Sequence, residues 1–139
     1  MTAQLKTHYL HTMLQFKNLL NGRLGSGEDR KINLTEFLIL QGVVDKKTLT
    51  EIRQEINVTK AAISQNLTSL RKKEYITQEK DESNRRQLII TLTKQGQVVL
   101  QETNEFFDQG FAQFLQQMGQ KELLEMLKQM ERMIDILGK

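Results

Sequence analysis

Residues 48–92 limit what this chain can fold into more than any other stretch. T-L-T-E opens with Thr48, whose hydroxyl can cap a helix, and Glu51 three positions on can reach back to the Thr48 backbone. Leu49, Ile52 and Ile56 then share one face, so the spacing predicts a short helix over 49–56. Asn57 tolerates the left-handed conformation that ends a helix, and Thr59 is a good cap for the next. That next helix, about residues 60–73, keeps Ile63, Leu67 and Leu70 on one side. A short helix, a tight turn and a longer helix make a helix-turn-helix.

Two segments that alternate like strands follow, Y-I-T-Q-E-K and Q-L-I-I-T-L, with Leu88, Ile90 and Leu92 on one face. Between them lies K-D-E-S-N-R-R-Q-L, Lys80 to Leu88. Turns favour Gly, Pro, Asn, Asp and Ser because those residues allow the backbone angles a turn needs. Arg85 and Arg86 answer no such need, so their side chains must explain their place. A helix-turn-helix followed at once by a hairpin is a winged helix.

The flanks are helical. Tyr9, Met13, Phe16 and Leu20 recur at helical spacing and predict a first helix over 4–21. Asn33 and Glu36 form a capping-box-like start for a helix to about Val44. Thr93 caps a long helix, about 94–117, carrying Val98, Val99, Phe106, Phe107, Phe111 and Phe114. After Gly119, a last helix over 120–137 sets Leu123, Leu127, Met130, Ile134 and Leu137 in a coiled-coil-like seam. Leu124, Met126, Met133 and Ile136 widen it beyond one stripe, which asks for a partner on more than one side. The expected class is mainly α with a small β-hairpin: one domain over 1–139, with a DNA-binding lobe at 32–93 and dimerisation helices at 1–22 and 94–139.

The net charge of +3 is unevenly spread. Residues 59–94 hold eight basic and four acidic side chains, a local +4, against −1 for the rest. A local basic patch is what a polyanion binder presents. The absence of cysteine excludes disulfides, thiolate metal sites and thiol nucleophiles. Proline is absent too, where usage of about 5% predicts roughly seven, and this suits long helices joined by short turns. No run approaches the roughly 18 apolar residues of a membrane span, and the N-terminus lacks a signal-peptide pattern, so no membrane partner is expected and the cytoplasm is the expected location.

Catalysis is not expected, and neither is a cofactor. His8 and His11, the only histidines, lie at i, i+3 on the first helix, where a surface or dimer-contact role outweighs metal binding. The glycine-containing stretch Gly22 to Lys31 lacks the G-K-[ST] ending of a phosphate-binding loop.

The order of elements resembles the MarR family of bacterial transcription regulators over nearly the whole chain. N-L-T-E-F resembles that family's T-x-x-Q-F helix start, and L-T-E-I-R-Q-E-I-N-V-T-K-A-A-I-S-Q-N-L resembles its helix-turn-helix. The D-x-x-x-R-R wing tip followed by L-T-x-x-G is the most specific element. Three positions depart from the pattern: Asn84 stands for the usual Asp, Glu74 for a common Gly, and Arg53 for a small residue.

In a helix-turn-helix the N-terminal part of the second helix meets base edges in the major groove. The outward set here is Thr59, Lys60, Ala61, Ser64, Gln65 and Thr68, poor in arginine and suited to A·T-containing sites. Gln65 can pair with adenine, Ser64 with most bases, and Ala61 offers a methyl to thymine. Lys60, Thr48 and Thr50 suit phosphates. One of Arg85 and Arg86 is expected in the minor groove, the other on phosphate or Asp81. Tyr9 and Phe16 join the seam of the last helix as expected dimer contacts. A dimer predicts an inverted-repeat operator, and the resemblance implies a small-molecule effector and repression. The competing reading is a winged helix used for protein contact without sequence-specific DNA binding, which has no need of paired arginines beside a basic helix.

Overall fold

A computed structural model describes residues 1–23, 31–83 and 87–138, except for the side chains of residues 21–23. The described elements run α1 (Thr2–Arg23), α2 (Leu34–Val44), α3 (Leu49–Ile56), α4 (Lys60–Lys72), β1 (Ile76–Lys80), β2 (Leu88–Leu92), α5 (Lys94–Met118) and α6 (Gln120–Leu137). Every predicted element is present with ends shifted by no more than two residues. The chain divides within α5 into two compact units, Met1–Thr103 and Asn104–Lys139. Among the described residues, no helix is long and apolar enough to cross a membrane.

The core of the first unit is assembled from Ile32, Phe37, Ile39 and Leu40 at and in α2, and Ile52 in α3. Ile63, Leu67 and Leu70 of α4 complete it with Ile76 and Leu92 of the hairpin and Val99 and Leu100 of α5. β1 and β2 pair antiparallel, Ile76 opposite Leu92, Gln78 opposite Ile90 and Lys80 opposite Leu88. These pairs share the inner face, and burial fades along it from Ile76 and Leu92 to the exposed Leu88 near the turn. Alternation thus identifies the face correctly, but only the root of the hairpin is in the core.

The helix ends follow their caps. Asn33 Oδ1 accepts from Glu36 N at 2.7 Å while Glu36 Oε1 accepts from Asn33 N at 2.9 Å. Thr48 and Glu51 repeat the arrangement, both bonds at 3.1 Å. α4 ends in a Schellman motif: Tyr75 N donates to Leu70 O and Glu74 N to Arg71 O. Glu74 therefore sits in the left-handed region, at φ 64°. A side chain there costs about 1–2 kcal/mol, whereas glycine adopts the angle freely at a chain-entropy cost of about 0.5–1 kcal/mol. We expect Glu74→Gly to raise stability by about 0.5–1 kcal/mol, read as a higher urea midpoint at unchanged slope; a lower midpoint would show that the Glu74 side chain makes a compensating contact.

The junction of α5 with the hairpin is close. Thr93 N donates to Tyr75 O at 3.0 Å, Thr93 Oγ1 donates to Glu74 O at 2.7 Å, and Gly96 N donates to Thr93 Oγ1 at 3.0 Å. A Cβ on Gly96 would overlap the Tyr75 carbonyl oxygen. The L-T-x-x-G run is thereby explained: Leu92 is buried, Thr93 caps, and Gly96 makes room.

Much apolar surface of a single copy is uncovered. α1 exposes Leu5 (66%), Leu10, Leu14 and Leu19, and Tyr9, Met13 and Phe16 lie open beside them. In the second unit, Phe106 and Phe107 meet edge to face at 5.9 Å. Phe111, Phe114, Leu124, Leu127, Ile134, Ile136 (67%) and Leu137 stay exposed, Met130 is half-buried, and Leu123 is buried.

Candidate nucleic-acid interface

The two helices of the motif are joined by Asn57 in the left-handed conformation (φ 54°, ψ 52°), with Val58 N donating to Arg53 O at 3.3 Å. Thr59 then caps α4 by accepting from Ala62 N at 3.0 Å. Asparagine tolerates that backbone where most residues would be strained, so the direction of α4 is set locally by two side chains that were legible in the sequence.

Its orientation is also fixed from behind. Glu36, 1% exposed, accepts from Lys73 Nζ at 3.1 and 3.0 Å and from Ser69 Oγ at 3.1 Å, besides closing the cap on Asn33. Asn33 Nδ2 reaches Asn66 Oδ1 at 3.4 Å. The first turn of α2 thus grips the last turn and the middle of α4. Ile63, Leu67 and Leu70 lock the inner face, and Thr59, Lys60, Ala61, Ser64 and Gln65 are left exposed.

Thr68 behaves differently. It is half-buried, its hydroxyl donates to Ser64 O at 2.9 Å, and it accepts from Arg71 Nη2 at 3.2 Å. Arg71 and Lys72, counted in the basic segment but given no individual contact by sequence reasoning, are both exposed in the final turn. Lys72 continues the stripe of Ala61, Gln65 and Thr68 at i, i+4, i+7 and i+11; Arg71 lies beside it.

Thr48 and Thr50 lie with Lys46 and Lys47 along a cleft of about 480 Å³ whose other wall is Leu88 and Ile90 of the hairpin. Lys46, at φ 62°, holds the left-handed position that ends α2. Lys47 Nζ donates to Glu55 Oε2 at 2.9 Å, and that bond, with the nearby carboxylates of Glu55, Asp45 and Glu51, raises the Lys47 pKa above its ordinary value. Glu51 is lowered, first by the Thr48 backbone N–H and then by the Thr48 hydroxyl. Both groups are therefore ionised at neutral pH, and the rim of the cleft carries mixed charge.

In the hairpin, Asp81 N donates to Gln87 O at 3.1 Å, while Asp81 Oδ1 accepts from Ser83 N and Ser83 Oγ at 2.9 and 2.6 Å. Asn84, Arg85 and Arg86 lie outside the described residues. Among those described, no group of three or more His, Cys, Asp or Glu could hold a metal ion.

Residues 32–109 match the family model of the winged helix DNA-binding domain. No curated protein matches the chain. Among solved structures it is similar to FabT of Streptococcus pneumoniae in complex with DNA, at 21% identity and TM-score 0.69, covering 98% of this chain and 97% of that one. The transcriptional regulator BldR of Sulfolobus solfataricus is 24% identical, with TM-score 0.70 and 96% of each chain covered. PcaV of Streptomyces coelicolor, a transcriptional regulator in complex with its natural ligand, is 17% identical with TM-score 0.76, covering 93% of this chain and 91% of that one. The family match spans more than half of the sequence and includes the motif and hairpin described above, so the chain belongs to the winged helix DNA-binding domain family, in the MarR-type arrangement.

Proposed function

We propose that this protein is a sequence-specific double-stranded DNA-binding transcription regulator, working in the cytoplasm as a homodimer on an inverted-repeat operator. The observation that carries the reading is the exposed face of α4, a capped and buttressed helix that presents Lys60, Ala61, Ser64 and Gln65 beside an antiparallel hairpin. Neutral polar side chains on a fixed helix suit reading of base edges, and Lys60, Thr48 and Thr50 suit phosphate. FabT, with the same fold, is held on DNA.

The homodimer is supported by the apolar surface that one copy leaves open on α1 and α6. Tyr9 and Phe16 are the contacts we assign on α1, with Leu127, Met130, Ile134 and Leu137 on α6 and Leu123 backing them. An isologous contact through these helices repeats the reading helix by two-fold symmetry. The natural ligand on PcaV supports a small-molecule effector whose binding releases DNA; a repressor is the form we favour, and an operator overlapping the promoter is what it requires. Arg85 and Arg86 complete the reading, one in the minor groove and the other on phosphate or Asp81.

The test is selection of bound fragments from the source genome, followed by fluorescence anisotropy on the best duplex. Six to ten phosphate contacts per dimer give an affinity that falls about 10³- to 10⁵-fold between 50 and 200 mM salt. Gln65→Ala is expected to weaken the selected duplex by about 1–3 kcal/mol and to relax preference at one base pair per half-site. Binding that is equal on random duplex and indifferent to Gln65 would end the reading.

A further inference from the structure

The far end of α4 has a use that the exposed face alone does not reveal. Thr68 lies on that stripe, half-buried, yet its hydroxyl has already committed its one proton and one of its two lone pairs. Its proton goes to Ser64 O at 2.9 Å, and a lone pair takes Arg71 Nη2 at 3.2 Å. Arg71 is exposed, so this bond adds little to stability. What it does is hold a long, rotamer-rich side chain against the helix surface, one turn closer to the end that enters the groove.

Distance decides what that guanidinium can meet. From Ala61 to Arg71 the helix advances about 15 Å at roughly 1.5 Å per residue. The major groove is about 12 Å wide. With the first turn of α4 among base edges, the last turn stands beyond the groove, against its phosphate wall. A guanidinium matches phosphate in planar, two-pronged fashion, and it stays charged at any working pH. Cations at a helix end also complement its dipole, but that asks only for charge, not for a guanidinium steadied by a hydroxyl one turn back.

We propose that Arg71 is a DNA-phosphate clamp at the C-terminal end of the recognition helix, and that Thr68 is its positioning residue and not a base reader. The inference rests on the DNA-binding reading given above and names a contact within it.

Anisotropy on the selected duplex and, separately, on random duplex, across a salt series, tests both parts. The proteins are the full chain, Arg71→Gln, Thr68→Val and the double variant, each checked by thermal melting. For Arg71→Gln, log K against log salt is expected to lose about 1.8 of its slope on either duplex, two contacts per dimer at roughly 0.9 each. Thr68→Val keeps the shape of the side chain; it is expected to weaken both duplexes in the same proportion, and to have no effect once Arg71 is gone. An unchanged slope in Arg71→Gln, while the wild type still prefers its selected duplex, overturns the clamp and leaves the proposed function standing. A Thr68→Val loss confined to the selected duplex, and persisting in the Arg71→Gln background, restores Thr68 as a base reader and overturns its positioning role. A wild type with no preference between duplexes defeats the proposed function, and the slope on random duplex still decides whether Arg71 meets phosphate. If the wild type binds neither duplex, both readings fall.

Discussion

Gly96→Ala is expected to lower stability by about 3 kcal/mol or more. An extra methylene in a packed interior usually costs about 1–3 kcal/mol because neighbouring side chains can turn aside. Here the obstacle is the Tyr75 carbonyl oxygen, and backbone cannot rotate out of the way. That oxygen also accepts from Thr93 N, while the Thr93 hydroxyl joins Glu74 O to Gly96 N. Moving Tyr75 therefore strains three bonds at the junction of β1 and α5 together. The check is urea denaturation at fixed protein concentration, with Gly110→Ala in α5 as control, since a Cβ there meets nothing. Equal, small changes in the two variants would show that the junction relaxes freely and that the close approach is not a constraint.

Glu36→Ala is expected to cost about 3 kcal/mol by a different route. Removing one member of a buried ion pair costs about 3–5 kcal/mol when the other is stranded. Lys73 is not fully stranded, because 37% of its side chain already reaches solvent, so the lower end applies. The loss combines the Lys73 bonds, the Ser69 bond and the capping bond to Asn33 N. Glu36→Gln keeps an acceptor for the cap and is expected to cost about half as much. Because the network holds α4, both variants should also weaken DNA binding more than their stability loss explains at low temperature, where the protein is still folded. If Glu36→Gln denatures like the wild type while Glu36→Ala does not, the charge contributes nothing beyond the cap.

What the sequence made legible is local. Caps at Asn33, Thr48, Thr59 and Thr93 are each read from two to four adjacent residues, and all four are seen. Helical and alternating periods identified the inner faces because burial acts on every turn of an element in the same way. The link from Glu36 to Lys73 joins residues 37 apart, and no period or cap announces it. The overlap at Gly96 is of the same kind: the glycine was recognised from a motif, but its reason is a carbonyl on another element. Thr68 was assigned to base reading because it lies on the right stripe. Only the fold shows its hydroxyl bonded to Ser64 O and to Arg71, a contact on which the proposed phosphate clamp rests.

The grip of α2 on α4 also bears on how the recognition helix meets DNA. At 13 residues, α4 alone would be marginal in water, where isolated helices need about 12–15 residues even to begin to persist. Its order comes from the three apolar side chains beneath it and from the Glu36 carboxylate at its end. Ordering a backbone costs about 1–2 kcal/mol per residue, and for α4 that cost falls within the folding of its own lobe. A helix that folds only on meeting its target spends much of its contact energy on becoming a helix. This one arrives already shaped, so in the proposed function its contacts go toward affinity and toward the difference between one sequence and another, with none spent on forming the helix.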